Sequence, residues 1–425
     1  MVRNAFLGDM LSTLFERRTG ASLVGSKRSV KDMCTDLMTD MGEVSGIALA
    51  TEILGRYSEM SRKEKLEFFV YLNDALDLDL ESLRASLDDY AQQSEVGTYR
   101  ALVQAAEPPR QELLRRLNQP SGATAQLVSM RADLLSFLKE HPELKRTDLD
   151  FTHLLRSWFN RGFLVLRQIT WDTPASILEK IVAYEAVHAI NDWDDLRRRL
   201  HPPDRRCFAY FHPAMPEEPL IFVEVALTKS IPDSIQHVLR ETRELRDAWD
   251  TSVAVFYSIS NCQAGLSGIS FGNLLIKQVV SELSAELPNL KTFVTLSPIP
   301  LLNTWLNQTE TLETPDVKAG LTSPDEVSER LAAFYLLNAK NQRGQPFDPV
   351  ARFHLGNGAS IHAVHAKADM TEKGQAQSGG VMVNYAYKLG QIERNHEAFA
   401  GRGVITADKA VRSLADVKGL KAAID

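Results

Sequence analysis

Apolar residues recur at helical spacing through the first third of the chain and at strand spacing further on. Leu66, Phe69, Leu72 and Leu76 fall on one helical face, as do Leu127, Met130, Leu134 and Leu138. Pro108-Pro109 and Pro120-Ser121-Gly122 interrupt the pattern between those faces. No alternating run occurs from residue 30 to residue 155. The first domain, residues 1–159, is therefore expected to be all-helical. Its apolar stripe is expected to fill the bundle for the most part, with some surface left to pack on a partner subunit.

The character changes near Trp158. Segments 163–171, 220–227, 252–259, 292–296, 359–364 and 381–387 read as strands. Helices fall between several of them, one opening at Pro174-Ala175-Ser176 and another covering 274–287. The second domain, residues 160–425, is expected to be α+β with a mixed sheet. Two polar stretches, 307–326 and 369–380, read as surface loops.

Composition narrows the partners. The chain has 425 residues, 44% hydrophobic and 24% charged, and a formal net charge of −7. With a pI near 5.9, it lacks the basic surface that broad nucleic-acid binding requires. No apolar run approaches the length of a membrane span. The mildly basic start, with Arg3, Arg17, Arg18, Lys27 and Arg28, is interrupted by Asp9 and Glu16 and reads as a solvated leader. Cys34, Cys207 and Cys262 are odd in number and far apart, which fits neither a disulfide framework nor a zinc site. A reducing compartment follows, and a cytoplasmic location is expected. Cys262 is expected to be a small buried residue rather than a nucleophile.

Candidate chemistry begins between strand 253–257 and helix 274–287. The intervening loop carries Gln263-x-Gly265-x-x-Gly268, which is neither Walker A nor the dinucleotide fingerprint. Strand, glycine-bearing loop and helix start is nevertheless the layout of a phosphate cradle, because glycine lets backbone approach closely and a helix start offers free N–H groups. It looks like the pyrophosphate loop of acyl-CoA-handling folds related to the N-acetyltransferases. Gly268-Ile269-Ser270-Phe271-Gly272 fits the Gly-x-Ser-x-Gly elbow but lies too far from its strand for that geometry. Strand 292–296 runs into Ser297-Pro298-Ile299-Pro300, which sets a hydroxyl at the sheet's carboxyl edge. His354, before Gly356-Asn357-Gly358, is read as entering strand 359–364 at its edge, where it either moves protons or only caps the turn. His362 and His365 point apart, His212 is expected to cap its own turn, and Ser136-x-x-Lys139 is a chance match in a helix. Tyr385 and Tyr387 share a strand face.

Taken in order, the Gln263 to Asn273 loop, Leu296-Ser297-Pro298-Ile299-Pro300, Phe353-His354-Leu355-x-Asn357-Gly358-Ala359 and Met382-x-Asn384-Tyr385-x-Tyr387 resemble motifs of the malonyl-CoA decarboxylases. The resemblance extends through most of residues 160–410 and includes the helical first part. It implies a helical first domain followed by an N-acetyltransferase-like catalytic domain. It implies Ser297 and His354 as the catalytic pair. It assigns malonyl-CoA binding to Ser267, Gly268, Ile269, Ser270, Phe271, Gly272, Asn273 and Tyr387. Ser270 departs from the carboxylate of animal members. Malonyl-CoA is the implied substrate, with no metal and no cofactor. A homo-oligomer, a tetramer by resemblance, is expected through the helical domain. Other readings are an acyl-CoA-dependent acyltransferase on the same fold, marked by an acceptor requirement, and a helical scaffold with an acyl-CoA domain that binds without turnover.

Overall fold

The computed structural model describes residues 28–269, 275–308 and 324–416. The chain separates into two units. One contains residues up to Asn160 together with Gln263–Ile269, and the other contains Arg161–Cys262 and Ser270–Asp425. The second domain, expected as continuous over 160–425, is thus interrupted by a short segment that groups with the helices.

The first unit is helical throughout, from Val30–Leu37 to Lys145–Trp158. Its helix starts are set by local chemistry. Ser61 accepts the Glu64 N–H, and the Glu64 carboxylate accepts the Ser61 N–H at 2.8 Å, which satisfies two otherwise orphaned donors. The predicted apolar faces point inward: Phe69, Leu72, Leu127, Met130 and Leu134 are buried, while Leu66, Leu76 and Leu138 are half-buried. The adjoining helices Leu80–Gln92 and Val96–Ala105 bury no residue and leave Leu80, Leu87, Val96, Tyr99 and Val103 exposed. No helix among the described residues is long and apolar enough to cross a membrane.

The second unit is built on a mixed sheet. Its strands are β1 (Val165–Ile169), β2 (Arg205–Phe211), β3 (Ile221–Thr228), β4 (Val253–Asn261), β5 (Thr292–Thr295), β6 (Ser297–Pro298), β7 (Ser360–His365) and β8 (Met382–Ala386). The order is β1-β2-β3-β4-β5-β8-β6, with β7 also paired to β8. Strands β1 to β4 pair antiparallel, and β4 pairs parallel with β5. The β4–β5 ladder stops at Phe256 and Thr295, although β4 continues to Asn261. A register shift between Glu224 and Val225 marks a bulge in the β3–β4 pair. Antiparallel strands leading to a parallel pair that parts partway along is the layout of an N-acetyltransferase-like domain.

Differences from the sequence reading have local causes. Strand β2 went unread because it opens with Arg205 and Arg206. Arg205 is nonetheless buried, donating to the carbonyls of Asp204 and Val238. The expected loop 369–380 contains the helix Glu372–Ser378, capped by the Thr371 hydroxyl and closed by Gly379 at φ +63°. The expected loop 307–326 lies mostly outside the described residues. Its edges belong to the helices Leu302–Gln308 and Pro324–Asn338.

Candidate active site

Ser297 stands where β5 has ended and β6 begins, paired opposite Val383 of β8. Thr295 precedes it by two positions, so their side chains share a strand face. Ser297 Oγ donates to Thr295 Oγ1 at 2.8 Å. Two neighbouring residues of β8 hold Thr295. The Tyr385 N–H donates to its hydroxyl at 3.1 Å, and the Asn384 amide donates to its carbonyl at 2.8 Å. Asn384 in turn bonds His365 Nε2.

His354 comes from the helix Pro349–Gly356, not from the edge of β7 as the sequence reading had it. Asp348 caps that helix by accepting the N–H groups of Val350 and Ala351 at 2.9 and 3.0 Å, and Pro349 occupies the first helical turn. At the other end Gly358 adopts φ +83°, and a side chain there would collide with the Ile392 carbonyl. The Gly-Asn-Gly sequence after His354 is thus a helix stop. His396 Nδ1 lies 2.6 Å from the Gly356 carbonyl and braces the same helix end.

The helix delivers His354 Nε2 to within 3.1 Å of Ser297 Oγ, across 57 positions of sequence. The other ring nitrogen, Nδ1, lies 2.8 Å from the Tyr387 hydroxyl. Ser297 is 5% exposed and His354 3%. Burial pushes the imidazole down to a pKa of about 3, so it is neutral in the free protein. Burial likewise raises the Tyr387 phenol, which stays protonated. Because Ser297 Oγ gives its own proton to Thr295 Oγ1, it accepts from Nε2–H, and the neutral imidazole then accepts the Tyr387 O–H at Nδ1.

A histidine that donates to a buried serine can, once it carries a second proton, pass one through the serine to a bound atom and recover it from solvent later. Two family models match the chain: the malonyl-CoA decarboxylase N-terminal domain over residues 76–159, and the malonyl-CoA decarboxylase C-terminal domain over residues 162–326 and 311–424.

The chain belongs to the malonyl-CoA decarboxylase family.

It therefore stands among the carboxy-lyases. It is 33% identical to the mitochondrial malonyl-CoA decarboxylase of Rattus norvegicus over 425 residues, covering 90% of this chain and 85% of the relative. It is 37% identical to the mitochondrial malonyl-CoA decarboxylase of Anser anser anser over 350 residues, covering 72% and 69%. The crystal structure of malonyl-CoA decarboxylase from Rhodopseudomonas palustris superimposes with a TM-score of 0.85 at 48% identity, covering 90% of this chain and 98% of that one.

The glycine-bearing loop expected to bind substrate in this decarboxylase-family chain is described only in part. Ser270, Phe271, Gly272 and Asn273 lie outside the described residues. Gln263–Ile269, which includes Ser267, Gly268 and Ile269, groups with the helical unit. A side chain at Gly265 would collide with the Val128 carbonyl. Arg131, itself buried, donates to the carbonyls of Gly265 at 2.6 Å and Ser267 at 2.9 Å, and its Nε pairs with Asp148 at 2.8 Å. Gly268 adopts φ +77° with open space where a side chain would go.

Thr295 escaped the sequence reading of the site. Thr-x-Ser at the end of a strand puts two hydroxyls side by side, and that spacing was the available clue. The remaining candidates are separate. Cys262 is buried with its thiol pushed up by desolvation, which makes it a poor nucleophile. His212 Nδ1 accepts the Ala214 N–H at 3.1 Å within its own turn. His362 pairs with Asp408 at 2.7 Å. Ser136 donates to the Asp133 carbonyl within its helix.

Proposed function

We propose that this protein decarboxylates malonyl-CoA to acetyl-CoA and CO2, with Ser297 and His354 supplying the proton. The observation that carries this reading is the 3.1 Å approach of two buried groups far apart in sequence, Ser297 Oγ and His354 Nε2. Support comes from the parting of β4 and β5 beside Ser297. The β4–β5 ladder ends at Phe256 and Thr295, two positions before Ser297, while β4 runs on to Asn261. In this reading residues Ser267 to Asn273 hold the CoA pyrophosphate, and Tyr387 lines the acyl end.

The bond between the α-carbon and the carboxylate breaks and its electron pair becomes the thioester enolate, which amide N–H groups stabilise. CO2 leaves. The α-carbon takes the Ser297 hydroxyl proton, and Ser297 recovers one from His354 Nε2. The donor is an imidazolium. The incoming malonyl carboxylate and the carboxyl end of the His354 helix both favour that charged form over the neutral one set by burial. One solvent proton restores the site per turnover.

Self-association through the helical domain and a cytoplasmic location belong to this reading. The exposed apolar residues of Leu80–Gln92 and Val96–Ala105 favour the first. Purified full-length chain mixed with malonyl-CoA is expected to release acetyl-CoA and CO2 with no acceptor added. Ser297→Ala and His354→Asn are each expected to slow turnover at least a hundredfold while the folded state persists. Full activity in both variants would remove the assignment. Loss of acyl-CoA only with an added acceptor would point to an acyltransferase.

A further inference from the structure

The hydrogen bonds around Ser297 form a chain with one direction. Tyr387 donates to His354 Nδ1, His354 Nε2–H donates to Ser297 Oγ, and Ser297 donates to Thr295 Oγ1. Thr295 Oγ1 also accepts the Tyr385 N–H, so two donors converge on it. Thr295 is fully buried, and Asn384 fixes its carbonyl. It is the acceptor of the Ser297 proton.

The geometry points to Thr295 as a positioning residue that draws the Ser297 proton away from His354 and thereby keeps the imidazole proton on Nε2, facing the serine. This rests on the Ser297–His354 reading above and adds a third member to it. Without an acceptor at Thr295, the serine proton turns to the nearest remaining one, His354 Nε2. The chain then reverses: Nε2 becomes an acceptor, Nδ1–H donates to Tyr387, and the histidine no longer feeds the serine. With Thr295 in place, Ser297 accepts from Nε2–H whether the imidazole is neutral or charged. The donor therefore needs no rearrangement when substrate arrives.

The test uses the full chain with Thr295→Val, Thr295→Ser and the wild type. Valine keeps the shape and removes the hydroxyl, while serine keeps the hydroxyl. In the resting protein, imidazole 15N resonances are expected to give Nε2–H for His354 in wild type and Thr295→Ser, and Nδ1–H in Thr295→Val. Thr295→Val is expected to lower kcat roughly tenfold to a hundredfold with KM within about twofold, and Thr295→Ser to restore most of kcat. An unchanged Nε2–H tautomer in Thr295→Val, or equal loss of kcat in the valine and serine variants, overturns the inference. Failure of the underlying reading looks different: Ser297→Ala and His354→Asn would keep full activity whatever Thr295 does.

Discussion

The Tyr385 ring lies against the imidazole of His354, with centroids 4.6 Å apart and planes 22° apart. Tyr387, two positions along, meets the same imidazole through its hydroxyl. Tyr385 of β8 therefore sets the plane of the ring, and Tyr387, one residue past the strand, gives Nδ1 its hydrogen-bond partner.

The two tyrosines are expected to respond differently to loss of the hydroxyl. The Tyr385 hydroxyl is buried with no hydrogen-bond partner, so Tyr385→Phe removes only an unsatisfied group. Activity should stay within about threefold and thermal stability should not fall, whereas Tyr385→Ala should cost about 3–5 kcal/mol by leaving a cavity. Steady-state kinetics and calorimetry on the two variants check this.

Tyr387→Phe deletes the donor to His354 Nδ1. A buried hydrogen bond of about 1.5 kcal/mol corresponds to roughly a tenfold loss, expected in kcat. An unaltered kcat would show that the phenol does not orient the histidine.

Acid should destabilise the protein through its buried histidines. Burial holds His354 at about 3 and His188 at about 4, both below the ordinary histidine value. Between those values and about pH 6.5, the unfolded chain binds protons that the native state refuses. Their stabilising effect is complete above about pH 6.5 and is lost as pH falls toward 3–4. Each contributes at most about 1.4 kcal/mol per pH unit in that window. Urea unfolding at pH 5 and pH 7.5 should show a smaller difference for His354→Asn than for wild type.

Arg131 links a helix to the glycine-bearing loop through two carbonyls and an ion pair with Asp148. Arg131→Met removes these donors and leaves the Asp148 carboxylate unpaired, at a cost of about 3 kcal/mol. If the loop binds CoA, KM for malonyl-CoA should rise roughly tenfold with a smaller change in kcat. A kcat loss at unchanged KM would separate this loop from substrate binding.

Gly358→Ala should be more harmful than Gly268→Ala. Both glycines have positive φ, but only Gly358 has backbone, the Ile392 carbonyl, in the space a side chain needs. About 2 kcal/mol or more is expected at Gly358 and about 1 kcal/mol at Gly268. Parallel chemical-denaturation curves check the ranking.

The sequence disclosed more of the scaffold than of the site. Strands β3, β4, β5, β7 and β8 were legible because β-branched and aromatic runs ended at turn residues. The His354 helix was not, although Asp348-Pro349 is a strong helix-start pair. Its eight residues make little more than two turns, too few to display a 3.6-residue period clearly, and the following glycines drew the histidine into the next strand. Strand β6 has only two residues, one of them proline, so no pattern exists to read. That Ser297 and His354 approach each other follows from how the helix enters β7 and how β7 pairs with β8, relations that span many positions. Local spacing carries no trace of them.

Asn384 and Tyr385 grip Thr295, and Tyr385 and Tyr387 grip the imidazole, so three residues within one four-residue stretch position both the Ser297 and the His354 ends of the pair. When the sheet breathes, serine and histidine ride on the same ruler, and their spacing is preserved while their absolute positions drift. Warming should therefore leave each intact molecule fully competent until that strand detaches, and bulk activity should vanish in step with the fraction of molecules that have lost it.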